Sequence, residues 1–390
     1  MKSKKIPYGY HQITPEDIES VVSVLKQSFL TQGSKVPEFE EILNKKVNSK
    51  FSVAVNSATS ALHLACLALG LKKGDYLWTS PISFVSSANC GLFCNASVDF
   101  VDIDLNTGLM SIDALKRKLI NAKENGILPK IVIPVHLGGT SCDMEAIYKL
   151  SKEFDFKIIE DASHALGGKF DEFKVGSCQY SDITVFSFHP VKIITTGEGG
   201  ILSTNNESIY SQLKLLRSHG IVKDKDKFII SNNKPWHYEQ QILGYNFRMS
   251  DINAALGISQ INRLEYIVNR RNEILESYKK RLENLPIKFL KIPFNILSSV
   301  HLAIISFENQ SSEFQKKVFN EFHKRNIYVQ LHYQPIHLNP YYLKKGFSKG
   351  DFPNAEKYAE SSLSIPVYPS MNEEEFEYVV NSIHSIFNEK

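Results

Sequence analysis

The chain has 390 residues, of which 43% are hydrophobic and 22% charged, a balance that suits a folded globular protein and excludes a largely disordered one. Its 45 basic and 42 acidic residues leave a formal charge of +3, too weak a field to gather nucleic acid or an anionic membrane, so small molecules are the expected partners. The length accommodates one large and one small domain.

At the N-terminus, Met1 to Lys5 is basic but has no apolar stretch behind it, so it lacks the central element of a signal peptide. No apolar run elsewhere is long enough to cross a bilayer. From residue 50 to residue 205, short β-rich runs alternate with helical patterns, which predicts βαβ units around a mostly parallel sheet. The expected strands are Phe51 to Val55, Tyr76 to Thr79, Val98 to Ile103, Ile131 to Val135, Lys157 to Glu160, Ile183 to Phe188 and Gly200 to Thr204. Helices are expected over 58–69, 84–94, 111–124 and 143–154, where apolar residues recur at threes and fours. The polar stretch Lys223 to Lys234 reads as a surface loop. Ser250 then caps a single long helix to about Leu282, and beyond Pro286 come strands at Ala303 to Phe307 and Tyr328 to His332 with helices over 311–324 and 372–387. The division that follows is a large α/β domain over 1–250 and a linking helix with a small α+β domain over 251–390. The five cysteines (Cys66, Cys90, Cys94, Cys142, Cys178) are odd in number and form no CxxC pair, so neither a disulfide framework nor a metal site is expected, in keeping with a reducing cytoplasm.

Ligands of open α/β sheets bind outside the carboxyl ends of the strands. Three such ends are rich in polar groups. In Asn56-Ser57-Ala58-Thr59-Ser60-Ala61 a strand feeds a helix through small hydroxyl residues, a ready phosphate cradle, although Ser57 or Thr59 would sit there equally well as a plain helix cap. In Ile158 to His164 an apolar strand delivers Asp161 to the sheet edge with His164 one step beyond; a carboxylate there can keep a pyridine nitrogen protonated and the imidazole can bond a ring oxygen. In Thr184 to Gly200 a lysine, Lys192, follows a buried strand in a short apolar loop, where partial desolvation lowers its pKa and frees a neutral amine for Schiff-base chemistry. A phosphate cradle, a ring-nitrogen carboxylate and a reactive lysine are three separate needs of pyridoxal phosphate. The GEGG segment lacks the Gly-Lys-Ser/Thr ending of a P-loop, and no GxGxxG follows the first strand.

With these residues in place, the chain resembles the fold-type I, pyridoxal-phosphate-dependent sugar aminotransferases of the DegT/DnrJ/StrS group. The likeness runs from about Thr14 to Ser370 and rests on LTQG (Leu30 to Gly33), NSATSAL (Asn56 to Leu62), SPISFVSSAN (Ser80 to Asn89), EDASHALG (Glu160 to Gly167), SFHPVKIITTGEGG (Ser187 to Gly200), LRSHGI (Leu216 to Ile221) and GYNFRMSDINAALG (Gly244 to Gly257). Together with HYQPIH (His332 to His337) and LSIPVYPSM (Leu363 to Met371), these most resemble the members that serve pseudaminic acid synthesis and aminate C4 of a UDP-4-keto-6-deoxy-N-acetylhexosamine with L-glutamate. The resemblance implies that Lys192 carries the cofactor and shuttles protons, that Asp161 pairs with the ring nitrogen and that His164 supports the ring-oxygen side. It implies further that Phe84 stacks on the ring, that Ala58, Thr59 and Ser187 hold the phosphate, and that the cofactor cycles through pyridoxamine phosphate. Asn246 is implied to reach the cofactor of a second subunit, making the site a property of a homodimer. Arg217, His219 and Arg248 are candidates for anionic groups of substrate or donor. Tyr8, Ser28, Phe29, Leu30, Thr31, Gln330, Leu331, His332 and Tyr333 are implied to contact the nucleotide-sugar. Two departures from the group's pattern, the loop over 223–237 and Gly197 where relatives carry a bulkier residue, lie near the expected sugar pocket.

Three other readings compete. A sugar 3-dehydratase of the same group carries histidine in place of the Schiff-base lysine, and Lys192 argues against it. An aminotransferase for another nucleotide-linked keto-sugar, of dTDP, GDP or UDP-arabinose type, is separated only by a substrate panel. A non-catalytic pyridoxal-phosphate-binding regulator would bring a DNA-binding domain or a basic surface, and the chain shows neither.

Overall fold

The computed structural model describes residues 5–26, 29–230, 234–307 and 311–388. Two N-terminal helices, α1 (Pro15–Leu25) and α2 (Lys35–Val47), precede the sheet. Seven strands follow: β1 (Phe51–Val55), β2 (Tyr76–Thr79), β3 (Ser97–Phe100), β4 (Ile131–Ile133), β5 (Lys157–Asp161), β6 (Ile183–Ser187) and β7 (Gly200–Thr204). They lie in the order β1-β7-β6-β5-β4-β2-β3. Only β7 runs against its neighbours, pairing antiparallel with both β1 and β6. The other pairings are parallel, so β1, β5 and β6 all point their carboxyl ends the same way. Near-continuous Val, Ile and Leu in these strands suits a sheet covered on both faces.

Helices α3 (Ala58–Ala68), α4 (Ser86–Phe93), α5 (Ile112–Asn125), α6 (Met144–Phe154) and α7 (Glu207–Arg217) cover the sheet. The expected strands are all present, with ends that differ by a few residues. The run beginning at Val98 stops pairing at Phe100, and Ile103 bridges Met110 instead.

The single long helix expected from Ser250 is two helices, α8 (Asp251–Ile261) and α9 (Leu264–Arg281), broken at Asn262 and Arg263. Ser250 does cap the first, accepting from the Asn253 N–H at 3.2 Å. The break has a tertiary cause. Asp17, fully buried in α1, accepts from Ser259 Oγ, Gln260 Nε2 and Arg263 Nη2, each at 2.6 Å, and so draws the end of α8 toward itself. A second buried carboxylate, Asp251, accepts from the backbone N–H groups of Gly33 at 2.8 Å and Lys35 at 2.7 Å, which satisfies donors at the start of α2.

The C-terminal part contains an antiparallel sheet of β8 (Ile287–Phe289), β9 (Ala303–Phe307) and β10 (Ser362–Ile365), flanked by α10 (Ser312–Lys324) and α11 (Glu373–Asn388). The strand expected over Tyr328 to His332 is only Ile327–Tyr328, which pairs with Ile6–Pro7. Beyond it the chain exchanges backbone hydrogen bonds with Ser364 at Gln330 and then turns inward. Pairing with Ile6–Pro7, and the Val367 N–H donating to Tyr8 O at 3.0 Å, stitch the N-terminal segment to the C-terminal part. No helix among the described residues is long and apolar enough to cross a membrane.

Asp251→Ala strips the acceptor from these backbone donors. It should lower stability by on the order of 3 kcal/mol, read as a drop in the thermal unfolding midpoint, while Asp251→Asn, which keeps one acceptor oxygen, should lose less.

Candidate active site

Strand register gathers the polar residues. Gly200 at the start of β7 lies opposite Val55 on one side and Ser187 on the other, and Asp161 at the end of β5 lies opposite Val185. The residues after β1, β5 and β6 therefore converge on one edge of the sheet, around a cavity of about 400 Å³. Ser57, Ala58, Thr59, Phe84, Asp161, His164, Ser187, Lys192, Tyr8, His332 and Tyr333 all line it.

Asp161 is almost wholly buried, and one of its oxygens accepts from Ser87 Oγ at 2.5 Å while the other accepts from the Ser163 N–H at 3.1 Å. Lys192 is fixed by its own N–H, which donates to His189 O at 2.9 Å. Burial pulls the Lys192 ammonium down to about 8, against the opposing attraction of the Asp161 carboxyl group. About a tenth of the side chain is thus a neutral amine at pH 7 and about half at pH 8. His164 is held well below the usual imidazole range by burial and then by the nearby Lys192 charge, so its ring is neutral.

Both His164 nitrogens are engaged within the protein. Nδ1 accepts from the Gly138 N–H at 3.3 Å, and Nε2 lies 3.1 Å from the Tyr333 hydroxyl.

The helix start is built as an anion seat. Ser57 caps α3, accepting from the Ser60 N–H at 3.1 Å, and Ser57 O accepts from the Ala61 N–H at 3.0 Å. This leaves the N–H groups of Ala58 and Thr59 without an intrahelical partner. Both readings of Ser57 thus hold together: the cap shapes the cradle. Gly200 permits the approach, since a Cβ there would stand 2.6 Å from the Ala58 nitrogen. Phe84 is 59% exposed and forms part of the cavity wall, so core packing does not explain it. A free aromatic face, a buried carboxyl group, a desolvated amine and an uncovered helix N-terminus fit the ring, nitrogen, aldehyde and phosphate of pyridoxal phosphate.

Residues 11–384 match the DegT/DnrJ/EryC1/StrS aminotransferase family. The chain belongs to this family. The aminotransferase is 38% identical over 383 residues to the UDP-4-amino-4,6-dideoxy-N-acetyl-beta-L-altrosamine transaminase of Campylobacter jejuni, covering 98% of this chain and 97% of that one. Its structure is similar to that of Helicobacter pylori PseC, an aminotransferase involved in the biosynthesis of pseudoaminic acid, with a TM-score of 0.91 at 31% identity and 99% and 100% of the two chains covered. It is similar also to the PLP form of a putative sugar aminotransferase, Spr1654 from Streptococcus pneumoniae, with a TM-score of 0.88 at 28% identity over 98% of each chain. The aminotransferase is a pyridoxal-phosphate-dependent enzyme of the fold-type I class.

Other expected positions fall elsewhere in this aminotransferase. Arg217 is committed to structure, with Nη1 donating to Glu40 Oε1 at 2.6 Å and to Ala54 O at 2.9 Å, and it does not line the cavity. His219 is exposed at a φ of +60° and donates its N–H to Tyr245 O, and Arg248 is half-buried with its backbone bridged to Val55; neither lines the cavity. Phe29 and Leu30 are exposed and Thr31 bridges Ser250, all outside the cavity wall, as are Gln330 and Leu331. Ser28 lies outside the described residues. Asn246 is exposed and bridges Ser218. Gly197 sits at a φ of +81° in the turn leading to Glu198 and Gly199, which accounts for a glycine there.

Ser87, which donates to Asp161, is a residue that sequence reasoning passed over. Nothing in SPISFVSSAN marks which serine meets a carboxylate 74 positions away. The signal available was the pair Ser86-Ser87 opening a helix after a strand end, since Ser86 Oγ also meets Thr59 Oγ1 at 2.7 Å.

Two outcomes follow from this geometry. In the cofactor-free protein, the rate at which the visible band grows on adding pyridoxal phosphate should rise as pH climbs through about 8 and level off above it, because the neutral amine is the nucleophile and Lys192 loses its proton there. An ordinary lysine would go on gaining up to roughly pH 10. Gly200→Ala, which forces the helix start away from the strand, should weaken pyridoxal phosphate binding roughly tenfold or more, measured by equilibrium titration.

Proposed function

We propose that this aminotransferase moves an amino group from L-glutamate to C4 of a UDP-4-keto-6-deoxy-N-acetylhexosamine, in a pathway of the pseudaminic acid type. The observation that carries the reading is the cavity at the sheet edge, where Lys192, Asp161 and the uncovered start of α3 face one another in a chain with a transaminase of that name as a 38% identical relative. Bound there, pyridoxal phosphate supplies an electron sink that lets a proton leave the carbon bearing the amine. Lys192 Nζ would bind the cofactor and then move that proton in each half-reaction, a task suited to an amine whose pKa is near 8. Asp161, held from two sides by Ser87 and Ser163, would fix the ring nitrogen in its protonated form. Ala58, Thr59 and Ser187 would hold the phosphate, and Phe84 would cover the ring face. Tyr8, His332 and Tyr333 form the wall opposite, where the nucleotide-sugar would enter.

We place the working enzyme in the cytoplasm as a homodimer with shared sites. Asn246 is exposed and outside the cavity of its own chain, and the segment before it presents Ile229, Ile230, Trp236, Tyr238 and Leu243 to solvent, apolar surface that a second copy would cover. Arg248 and His219 flank that segment and would meet the anionic groups of substrate in the partner's site.

Purified enzyme with glutamate and a panel of UDP-, dTDP- and GDP-4-keto sugars should aminate the UDP-N-acetyl sugar, with the product identified by mass and NMR. Amination of a different nucleotide sugar alone would replace the substrate, and a visible band that glutamate leaves unbleached, with no aminated sugar, would favour a regulator. Lys192→Ala and Asn246→Ala should each be inactive, yet a mixture of the two, exchanged into mixed dimers, should regain activity, since one of its sites then holds both residues.

A further inference from the structure

The hydrogen bonds around His164 have a fixed direction. A backbone N–H can only donate, so the Gly138 N–H makes His164 Nδ1 an acceptor and the single proton of the neutral ring sits on Nε2. That N–H points to the Tyr333 oxygen 3.1 Å away, which must therefore accept and turn its own O–H elsewhere. The Tyr333 ring belongs to the cavity wall, where it meets the Phe84 ring at a tilt of 56° and a separation of 6.3 Å. Burial pushes the Tyr333 phenol well above its ordinary range, and the Asp161 charge adds to the effect, so the O–H keeps its proton and lies within electrostatic reach of the carboxyl group that marks the ring nitrogen.

This inference rests on the reading that pyridoxal phosphate occupies the cavity. With the nitrogen assigned to Asp161, the aldehyde to Lys192 and the phosphate to the turn at residues 57–59, the cofactor's remaining polar atom is the oxygen on ring carbon 3. We infer that the Tyr333 hydroxyl is the donor that holds this oxygen, and that His164 is the residue that positions Tyr333 and does not itself bond the ring. The assignment moves the ring-oxygen contact from the large sheet to the C-terminal part, on the segment that runs from β-pairing with Ile6–Pro7 into the cavity. Tyr333 is then a cofactor residue as well as a wall of the sugar side. The titratable groups facing this relay are Asp161, Lys192, His136, His301, His332, Tyr8 and Tyr358.

The charge on the ring oxygen favours a proton on the nitrogen that joins Lys192 to the cofactor. A donor to that oxygen drains the charge and lowers the pH at which the proton leaves. In the cofactor-loaded enzyme without substrate, Tyr333→Phe should therefore raise the midpoint of the pH titration of the visible band by roughly one to two units. His164→Leu, which frees the Tyr333 hydroxyl to turn, should shift it the same way, and His164→Gln, which keeps a donor near the Nε2 position, should shift it less. A wild-type midpoint in Tyr333→Phe that carries the band overturns the inference and leaves the cofactor reading intact. So does a large shift in His164→Leu with none in Tyr333→Phe, which would return the ring oxygen to His164. Absence of any visible band in wild-type enzyme given pyridoxal phosphate would remove both readings.

Discussion

One register contact controls the whole site: Gly200, the first residue of β7, lies between Val55 and Ser187 with no room for a side chain. Because β7 runs antiparallel between two strands that run with the rest of the sheet, its first residue meets the last residues of both. A side chain there would strike the backbone of Ser57 and Ala58 and push the start of α3 away from the strand ends. The phosphate seat, the end of β5 with Asp161 and the loop bearing Lys192 would then no longer share one edge. The chemistry is local, but its geometry is set by pairings made along the full length of three strands.

The second constraint is electrostatic. Placing an amine and a carboxyl group in one buried cavity ordinarily favours both charges, and the attraction of Asp161 does raise Lys192. Desolvation wins, and the lysine titrates near 8. Asp161 is meanwhile occupied by Ser87 and the Ser163 N–H, which leaves it oriented for a ring nitrogen instead of collapsing into an ion pair with the lysine. Charge on Lys192 in turn helps keep His164 neutral, and neutrality is what gives the imidazole its two distinct roles of acceptor and donor. A serine hydroxyl and a handful of backbone N–H groups thus decide which of the buried groups stays available for chemistry.

Much of this was legible in the residues. Seven buried strands announced themselves as short apolar runs with polar ends, and those ends pointed to Asp161, Lys192 and the Ser57 to Thr59 turn. What escaped was tertiary in origin. No proline or glycine marks the break after Ile261, because its cause is a carboxylate in α1, more than two hundred residues earlier. The resemblance offered Arg217 in LRSHGI as a ligand for an anion, and its partner, Glu40, is too distant in sequence to be read there. The strand expected toward His332 was cut short because its alternation of apolar and polar residues serves one brief pairing with Ile6–Pro7 and then an inward turn.

The two sides of the cavity obey different rules. The residues proposed to hold the cofactor come from strand ends and a helix start, elements fixed by dense backbone pairing, so their spacing tolerates little variation. The opposite wall is made by Tyr8, His332 and Tyr333, carried on segments held by a two-residue strand pairing, one Val367 to Tyr8 backbone bond and the bond from the Tyr358 hydroxyl to His332 O at 2.7 Å. Fewer constraints there allow residues to change without disturbing the sheet, and a wall of this kind is where one reaction can be fitted to different sugars. Tyr333 belongs to both sides, since its hydroxyl is bonded to His164 on the sheet edge while its backbone belongs to the opposite wall. With the proposed bond from Tyr333 to the ring oxygen, a change of sugar preference that altered the path of this segment would reach the cofactor through a single oxygen atom and so would tie substrate choice to the electronic state of the ring.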